Sequence, residues 1–505
     1  MAVKNALPRR RTKIVCTIGP SCDDRRTLER MIRAGMDVAR LNFSHGEHAE
    51  HDKALERIRE AARRVGRVVG ILQDLCGPKI RLGKLPGDVQ QVRAGQEVVL
   101  RPAVRGAGAA PGEWPVEYPK LADDVKAGDR LLFDDGTVEA RVVDTKDGAV
   151  RVRFPRAGTL KSRKGLNLPG VAISMPSVTR KDLRDLEWGL AHGVDFVALS
   201  FVRRPEDLEP VRARLRKERK PPWLISKIEK PEALNHLPEI LAASDGVMVA
   251  RGDLGVELDF ARVPPIQKRM IKLANASDKP VITATQMLES MTQNARPTRA
   301  EVSDVSNAIL DGTNAVMLSG ETAVGRFPVE AVATMSRIAE EAEAFKLGDS
   351  GTYWLPGRDA RASCIHDALA LGVEKISRSL EVHAIVAATR SATTARYLST
   401  SRPRVPVLGL SPDPWALGRM ALLWGVVPVP CKRWIHSREV LRQGTRVAQR
   451  HGLVKPGDTL AVAVGQESPG VFTGRILVHR VPTEEAHAKR NGRRKNAKRK
   501  ARRKK

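Results

Sequence analysis

The chain has 505 residues, enough for about three domains, and its 42% hydrophobic content is typical of globular proteins with buried cores rather than of disordered chains. No apolar run is long enough to span a membrane, residues 1–11 lack the apolar stretch of a signal peptide, and the five cysteines show no CxxC spacing. These features argue against a membrane protein, disulfides and zinc, and they predict a cytoplasmic protein.

The net charge of +29 is partly concentrated at one end, because residues 489–505 contain 12 Lys or Arg and no acid. The body of the chain is nevertheless still basic. Such a balance favours anionic ligands, but it does not choose between phosphorylated metabolites and nucleic acids.

Eight short, β-branched apolar runs recur along the chain, most of them separated by amphipathic helical stretches. They occupy residues 12–19, 37–44, 67–75, 195–202, 223–229, 246–254, 280–286 and 315–322. Strands that alternate with helices pair in parallel, and eight of them predict a closed (β/α)8 TIM barrel, here over residues 1–78 and 177–350. Chemistry is expected where barrel strands end. Polar residues do lie there: Asn42, Ser44, Asp74, Lys227, Glu229, Asp253 and Thr285.

One interval interrupts the alternation between the third and fourth strands. Residues 79–176 are rich in Gly and Val, and short extended pieces are separated by DDG, DG and PG turns. This pattern predicts a small all-β domain inserted into the barrel. Because the insert is rooted where chemistry is expected, it is placed to act as a lid.

The last part of the chain has a different organisation. Residues 351–482 predict a C-terminal α/β domain without a metal or nucleophile constellation. Residues 483–505 are basic and of low complexity, which predicts a disordered tail.

Two consecutive strand ends carry the clearest chemical signal. In WLISKIE, Lys227 and Glu229 are two residues apart and share one face of the strand, and GVMVARGDLG places Asp253 after the next strand. Two carboxylates that approach one point suit magnesium, which takes few protein ligands. Either segment alone fits an ordinary solvated strand end equally well.

Longer stretches resemble one family, in the order and spacing of that family. They are TKIVCTIGPS, AGMDVARLNFSHG, GPKIRLG, KGLNLPGV, DFVALSFVR, ISKIEKPEAL, SDGVMVARGDLGVEL, ITATQMLESM and RPTRAEVSDVSNAILDGTNAVMLSGETAVG. From about residue 11 to 481 the chain resembles pyruvate kinases. The resemblance implies a magnesium-dependent glycolytic enzyme that makes pyruvate and ATP from phosphoenolpyruvate and ADP. It also implies a barrel with a β lid, a C-terminal regulatory domain and a homotetramer.

The resemblance also implies roles for single residues. Glu229 and Asp253 match the magnesium ligands, and Lys227 matches the lysine that stabilises the transferred phosphoryl group and the enolate. Gly252 lies in the segment that resembles the substrate carboxylate site. Thr285 matches the threonine near the methylene carbon, where a water relay delivers a proton more plausibly than the hydroxyl itself.

Further matches surround the phosphates and the nucleotide. Strand alternation puts Arg40, Asn42 and Ser44 on one face, and Arg40 is expected among the catalytic residues. The residues matched to nucleotide binding are Asn42, Ser44, His45, Arg81 and, reaching in from the lid, Lys164.

One departure concerns the monovalent cation. Many pyruvate kinases hold potassium with side chains that match Asn42, Ser44 and Asp74, followed by a Thr, a Lys and a Glu. This chain has Leu75, Cys76 and Lys79 at those places, and Leu82 just after Arg81. An ammonium at Lys79 would supply the positive charge and repel a bound cation, with Leu75 and Leu82 packing its stem. The alternative is that Lys79 points to solvent. We therefore expect an enzyme that does not require potassium.

A second departure concerns regulation. Residues 388–395 stand where the family has a loop that binds the phosphate of an effector. Hydroxyls are retained at Thr389, Ser391, Thr393 and Thr394, but Ala392 replaces a usual Gly and an Arg of the loop is missing. A sugar-phosphate or nucleotide effector and a plain helix N-terminus rich in capping residues are both open.

Two other functions compete with a working pyruvate kinase. One is a different magnesium-dependent barrel enzyme that acts on phosphoenolpyruvate or an enolate, which would need no nucleotide lid. The other is a protein that binds nucleic acid through its tail. Residues 489–505 contain no aromatic residue, so they predict a solvated arm or a weak polyanion tether.

Overall fold

The computed structural model describes residues 10–103, 112–350, 362, 364–468 and 471–483. The expected disorder of the basic tail concerns residues that lie, apart from 483, outside this description. None of the helices in the described part is both long and apolar enough to cross a membrane.

The first three strands of the barrel alternate with two helices. They are β1 (Lys13–Thr17), α1 (Arg25–Ala34), β2 (Val38–Asn42), α2 (His48–Val65) and β3 (Gly70–Asp74). Every residue of β1 and β3 is buried, as expected for parallel strands covered on both faces. The Asp24 side chain caps α1 by accepting from Thr27 N, and Gly66 ends α2 in the left-handed conformation.

The insert follows β3. Its elements are β4 (Val89–Val92), β5 (Glu97–Pro102), β6 (Glu113–Val116), α3 (Leu121–Asp124), β7 (Arg130–Phe133), β8 (Val138–Lys146), β9 (Ala149–Arg153), β10 (Gly158–Lys161) and β11 (Leu166–Asn167). A six-stranded sheet in the order β11-β7-β8-β9-β5-β6 lies beside the pair β10-β4. Apart from the single turn of α3, the lid is the all-β unit that the turn pattern predicts. It has its own hydrophobic core, which includes Phe133 and Phe154.

The chain then returns to the barrel. The elements are α4 (Arg180–His192), β12 (Phe196–Leu199), α5 (Glu209–Leu215), β13 (Trp223–Ile228), α6 (Leu237–Ala243), β14 (Gly246–Ala250), α7 (Arg251–Glu257), α8 (Val263–Ala276), β15 (Val281–Ala284), α9 (Arg299–Asp311), β16 (Ala315–Leu318), α10 (Gly320–Ala323) and α11 (Pro328–Ser350). Short 3-10 helices occupy Pro205–Leu208, Pro231–Asn235, Phe260–Arg262 and Glu289–Thr292. The eight parallel strands close in the order β1-β16-β15-β14-β13-β12-β3-β2, which confirms the predicted TIM barrel.

The C-terminal domain is the predicted α/β unit. It contains α12 (Ile365–Ser379), β17 (Val382–Ala388), α13 (Thr393–Thr400), β18 (Val407–Ser411), α14 (Pro414–Met420), β19 (Val426–Pro430), α15 (Ser437–Arg450), β20 (Thr459–Ser468) and β21 (Val471–Arg480). Its sheet has the order β19-β18-β17-β20-β21, with an antiparallel pair at the end. The confirmed fold places the lid and the C-terminal domain at opposite ends of the barrel strands.

Asp195 marks the contact between the barrel and the C-terminal domain. It immediately precedes β12, where its carboxylate accepts a hydrogen bond from Ile71 N at 2.8 Å. The same carboxylate packs so closely on α14 that Gly418 has no room for a Cβ. Burial raises the pKa of Asp195 to about 7, although the Ile71 N–H, Arg59 and Arg419 act in the opposite direction.

This buried carboxyl should make stability depend on pH. Its folded pKa of about 7 lies above the ordinary value of 3.8, so the folded state binds the proton more tightly. The ionisation penalty is absent below pH ~4 and grows until pH ~7. We therefore expect Asp195→Asn, which keeps an acceptor for Ile71 N, to be more stable than wild type at pH 8 by on the order of 4 kcal/mol.

Thermal unfolding of both proteins at pH 5 and pH 8 checks this expectation. The difference between them isolates the group at position 195 from all other titrations. Asp123→Asn, at an exposed site of the lid, is the control. Parallel pH profiles for wild type and Asp195→Asn would contradict the expected ionisation penalty.

Candidate active site

A buried carboxylate, Asp74, lies between two cations at the C-terminal end of the barrel. Arg40 Nε is 2.7 Å from its Oδ2 and Lys227 Nζ is 3.1 Å from its Oδ1, while the side chain is 1% exposed. Burial acts to raise the pKa of Asp74, but Lys227 and Arg40 outweigh it, so the net pKa is lowered. Asp74 therefore stays ionised and fixes both cations at this end of the barrel.

Lys227 has a partner for each of its three ammonium hydrogens. Besides Asp74, it contacts Glu229 Oε1 at 2.9 Å and donates to Ser200 Oγ at 2.7 Å. Burial alone would lower the pKa of Lys227, but Asp74 and Glu229 raise it well above its ordinary value. The result is a permanent, oriented positive charge in a site largely shielded from water.

Glu229 and Asp253 leave an excess of negative charge at the same place. Glu229 lies one residue past β13, is 2% exposed, and accepts from Phe201 N through Oε2 at 2.9 Å. Burial raises its pKa, Lys227 opposes this, and the charge of Asp253 raises it further. A divalent cation would relieve that repulsion.

The type of metal site follows from the number of donors. Within the described residues, no group of three or more His, Cys, Asp or Glu side chains could hold a metal. Two carboxylates that lie close enough to repel each other fit a hard cation that keeps water and substrate oxygens as its other ligands, as magnesium does. Glu229 and Asp253 are therefore the residues that could hold it.

Thr285 is held in a strained backbone conformation at the end of β15. Its φ is +67°, unusual for a β-branched residue and worth roughly 1–3 kcal/mol of strain. Gly252 N donates to its Oγ1 at 2.7 Å, and the hydroxyl donates to Ala284 O at 2.6 Å. Arg251 ties the start of α7 to the same loop through Thr285 O at 2.8 Å. These contacts position the Thr285 hydroxyl against the first turn of α7.

A positively charged corner lies between the barrel and the root of the lid. The pKa of His45 is lowered by burial and then by the charges of Arg81, Lys79 and Arg40, so these four side chains share one environment. Lys79 Nζ lies 3.8 Å from Asp135 and its side chain is partly exposed. Lys79 thus pairs with an exposed carboxylate at the root of the lid, and its role beside the substrate phosphates stays a prediction.

Three further predicted residues, Ser44, Lys164 and Arg81, make contacts close to them in the sequence or within the lid. Ser44 lies in the turn after β2, where its N–H donates to Asn42 Oδ1 at 3.2 Å, so strand alternation does not extend to it. Lys164 stays on the lid, 2.8 Å from Asp134. Arg81 donates to Arg163 O at 3.2 Å within the lid.

Leu75 and Leu82 are buried in two different cores, those of the barrel and the lid. The stem of Lys79 instead lies against the backbone of Gly165, where a Cβ would be 2.9 Å from the lysine Cε. Lys79 can lie this close to the lid backbone because residue 165 is a glycine and has no Cβ.

The candidate effector loop belongs to the C-terminal domain, away from the barrel cleft. Ser391 Oγ and Thr393 Oγ1 are 2.8 Å apart, and Thr389 is buried. Ala392 has a φ of +74°, so it adopts the conformation for which the usual Gly is suited. Thr394 lies in the first turn of α13, and the N-cap residue of this helix, Ala392, makes no side-chain capping hydrogen bond.

Sequence reasoning missed two neutral residues of the network. Thr17 accepts from Arg40 Nη1 at 2.8 Å, and Ser200 accepts from Lys227 while donating to Leu75 O at 2.8 Å. Their only signal is position, since Thr17 ends β1 and Ser200 follows β12. Both are hydroxyls that orient a cation.

Comparisons with known proteins agree with this geometry. Family models described as "Pyruvate kinase, barrel domain" and "Pyruvate kinase, alpha/beta domain" match residues 9–332 and 367–473. The chain is 41% identical over 487 residues to pyruvate kinases of Staphylococcus aureus strains USA300 and bovine RF122, covering 96% of this chain and 83% of each relative. It is also similar to the crystal structure of a pyruvate kinase from Cryptosporidium parvum. There the TM-score is 0.85 at 34% identity, over 95% of this chain and 98% of that chain.

Proposed function

Because this chain belongs to the pyruvate kinase family of phosphotransferases, we propose that it transfers the phosphoryl group of phosphoenolpyruvate to ADP with the help of magnesium. The observation that carries the proposal is the buried network of Arg40, Asp74, Lys227 and Glu229 at the C-terminal end of the barrel. It combines two oriented cations with the carboxylates of Asp74 and Glu229, and the charge of Asp253 acts on Glu229 from nearby. That combination suits a reaction in which charge moves between phosphate and enolate oxygens.

Glu229 and Asp253 would hold the magnesium ion, which supplies charge neutralisation to phosphate and enolate oxygens when bound. Lys227 and Arg40 would contact the transferred phosphoryl group. The P–O bond to the enol oxygen breaks as a bond forms to a β-phosphate oxygen of ADP, giving ATP and enolpyruvate. Since Lys227 already uses three donors, it must release one partner to bind phosphate, and the neutral Ser200 hydroxyl is the weakest of them.

The methylene carbon of enolpyruvate must then receive a proton. The Thr285 hydroxyl hydrogen is committed to Ala284 O, and its oxygen already accepts from Gly252 N. This arrangement supports a relay in which Thr285 orients a water molecule rather than giving up its own proton. Gly252, at the start of α7, would present its neighbouring backbone to the substrate carboxylate.

The remaining site residues are proposed from position. Asn42, Ser44, His45 and Arg81 would face the phosphates of the nucleotide, and Lys164 would reach it from the closed lid. We also propose a cytoplasmic homotetramer that responds to a sugar phosphate or nucleotide at residues 389–394.

Initial rates of pyruvate formation test the proposed reaction. Pyruvate should appear only when phosphoenolpyruvate, ADP and magnesium are all present, with one ATP formed per pyruvate. Pyruvate released from phosphoenolpyruvate without ADP would favour the second candidate, a different barrel enzyme that needs no nucleotide.

We expect the enzyme to work without potassium. Both oxygens of the Asp74 carboxylate already contact cations, and Lys79 shares the positive corner with His45. An additional monovalent cation there would be repelled. Replacing all potassium with tetramethylammonium at constant magnesium and ionic strength should preserve most of the turnover.

The Lys79→Met variant sharpens the potassium test. It should lose turnover that added potassium partly restores, whereas Lys84→Met, at an exposed lid position, should behave like wild type. If wild-type turnover collapses without potassium and returns when it is added, the proposed role of Lys79 is wrong.

A further inference from the structure

Glu257 is a buried carboxylate that the proposed reaction does not use. It ends α7, four residues after Asp253, so the two side chains lie on one face of this short helix. Its side chain is 2% exposed, and Lys230 Nζ, on a side chain 7% exposed, lies 2.6 Å from Glu257 Oε1. Lys230 directly follows Glu229. This ion pair therefore joins the two segments that carry the proposed metal carboxylates.

The lid contacts the same carboxylate oxygen. Asn167, at the end of β11, donates from Nδ2 to Glu257 Oε1 at 3.1 Å. Asn167, Lys230 and Asp253 also line one cleft between the lid and the barrel, together with Lys79. We refer to Asn167, Lys230 and Glu257 as the latch.

Breaking the latch should cost considerable free energy. A buried ion pair that loses one partner leaves an uncompensated charge in the interior, which is strongly destabilising. Hydrogen bonds to an ionised acceptor are also stronger than neutral ones. One arrangement of three segments is therefore favoured: the segment after β13, the helix α7 and the lid. In it, Glu257 contacts both Lys230 and Asn167.

From this geometry we infer that Glu257 is a positioning residue that sets the separation of Glu229 and Asp253 and makes it depend on the position of the lid. The inference rests on the proposed magnesium site. A lid that moves away from α7 withdraws the Asn167 donor, so metal binding and lid closure favour each other.

Direct metal binding provides the test. Mn²⁺ titrations followed by electron paramagnetic resonance would compare full-length wild type with Glu257→Gln, Asn167→Asp and the control Glu239→Gln at an exposed helix position. Glu257→Gln should weaken Mn²⁺ binding about tenfold, in the range found when residues that support metal ligands are changed. Asn167→Asp, which sets a like charge against Glu257, should weaken binding several-fold and raise KM for ADP more than it lowers kcat.

The double variant distinguishes coupling from two separate effects. Because both residues act through one oxygen, Asn167→Ala should weaken Mn²⁺ binding in the wild-type background but change it by less than about twofold when added to Glu257→Ala, which lacks that oxygen. Asn167 is only half-buried, so Asn167→Asp decides the matter even if Glu257→Gln does not fold.

Two results would overturn the inference. If folded Glu257→Gln and Asn167→Asp bind Mn²⁺ within about twofold of wild type, Glu257 does not position the metal ligands, although the proposed magnesium site stands. No Mn²⁺ binding by the wild-type protein would reject the proposed magnesium site and the latch together.

Discussion

Replacing Lys227 by Met should lower kcat roughly a thousandfold, the upper range for loss of one preorganised electrostatic contact. The ammonium lies among Asp74, Glu229 and the charge of Asp253, and it is expected to contact the transferred phosphoryl group. Met fills a similar volume without charge, so the phosphoryl group loses its oriented cation. Single-turnover rates at saturating phosphoenolpyruvate and ADP measure the chemical step directly.

Stability must be separated from catalysis in this variant, because removing Lys227 leaves neighbouring carboxylates less well compensated. Melting temperatures with and without magnesium serve this purpose. Lys272→Met, on an exposed position of α8, is the matched control. Lys227→Arg keeps the charge with a different shape, and it should recover stability more fully than turnover. A folded Lys227→Met enzyme with near-normal kcat would exclude Lys227 from the reaction.

Replacing Glu229 by Gln should lower ADP phosphorylation by at least about a hundredfold, the scale of a lost electrostatic stabiliser. The amide oxygen can still accept from Phe201 N, so the loop after β12 should keep its conformation. What disappears is one of two carboxylates available for a divalent cation. Magnesium should therefore bind far more weakly.

Two measurements distinguish this loss of metal from a general defect. The magnesium concentration for half-maximal rate should rise, and Mn²⁺ binding without substrates should weaken in parallel. Glu239→Gln removes a carboxylate from an exposed helix and should match wild type. Near-normal activity of Glu229→Gln at ordinary magnesium would remove Glu229 from the metal site.

The barrel and its inserted lid could be predicted from the sequence because their signals are local. A short apolar run such as residues 246–250 predicts a buried strand without any knowledge of the segments that pack on it. Turns rich in Gly and Asp predict the β strands of the lid in the same way. Lys227 and Glu229 could also be predicted as neighbours from the sequence, because residues two apart on a strand lie on the same face.

The contacts made by these residues required the tertiary structure. The register of β2 on β3 sets Asn42 opposite Asp74 and leaves Arg40 within reach of the Asp74 carboxylate. Thr17 and Ser200 join the network only because their strands are neighbours in the closed barrel. A hydroxyl carries no charge that would single it out in a sequence.

Burial and backbone strain were likewise decided by the fold. Leu75 and Leu82, seven residues apart, enter separate cores because the chain leaves the barrel between them. The positive φ of Thr285 contradicts the preference of a β-branched residue and persists because contacts with Gly252 and Arg251 hold it. Sequence patterns determined the elements and the charged residues at their ends. Which of these charges share a partner was decided by the closing of the barrel, because it brings strands that are distant in the sequence side by side.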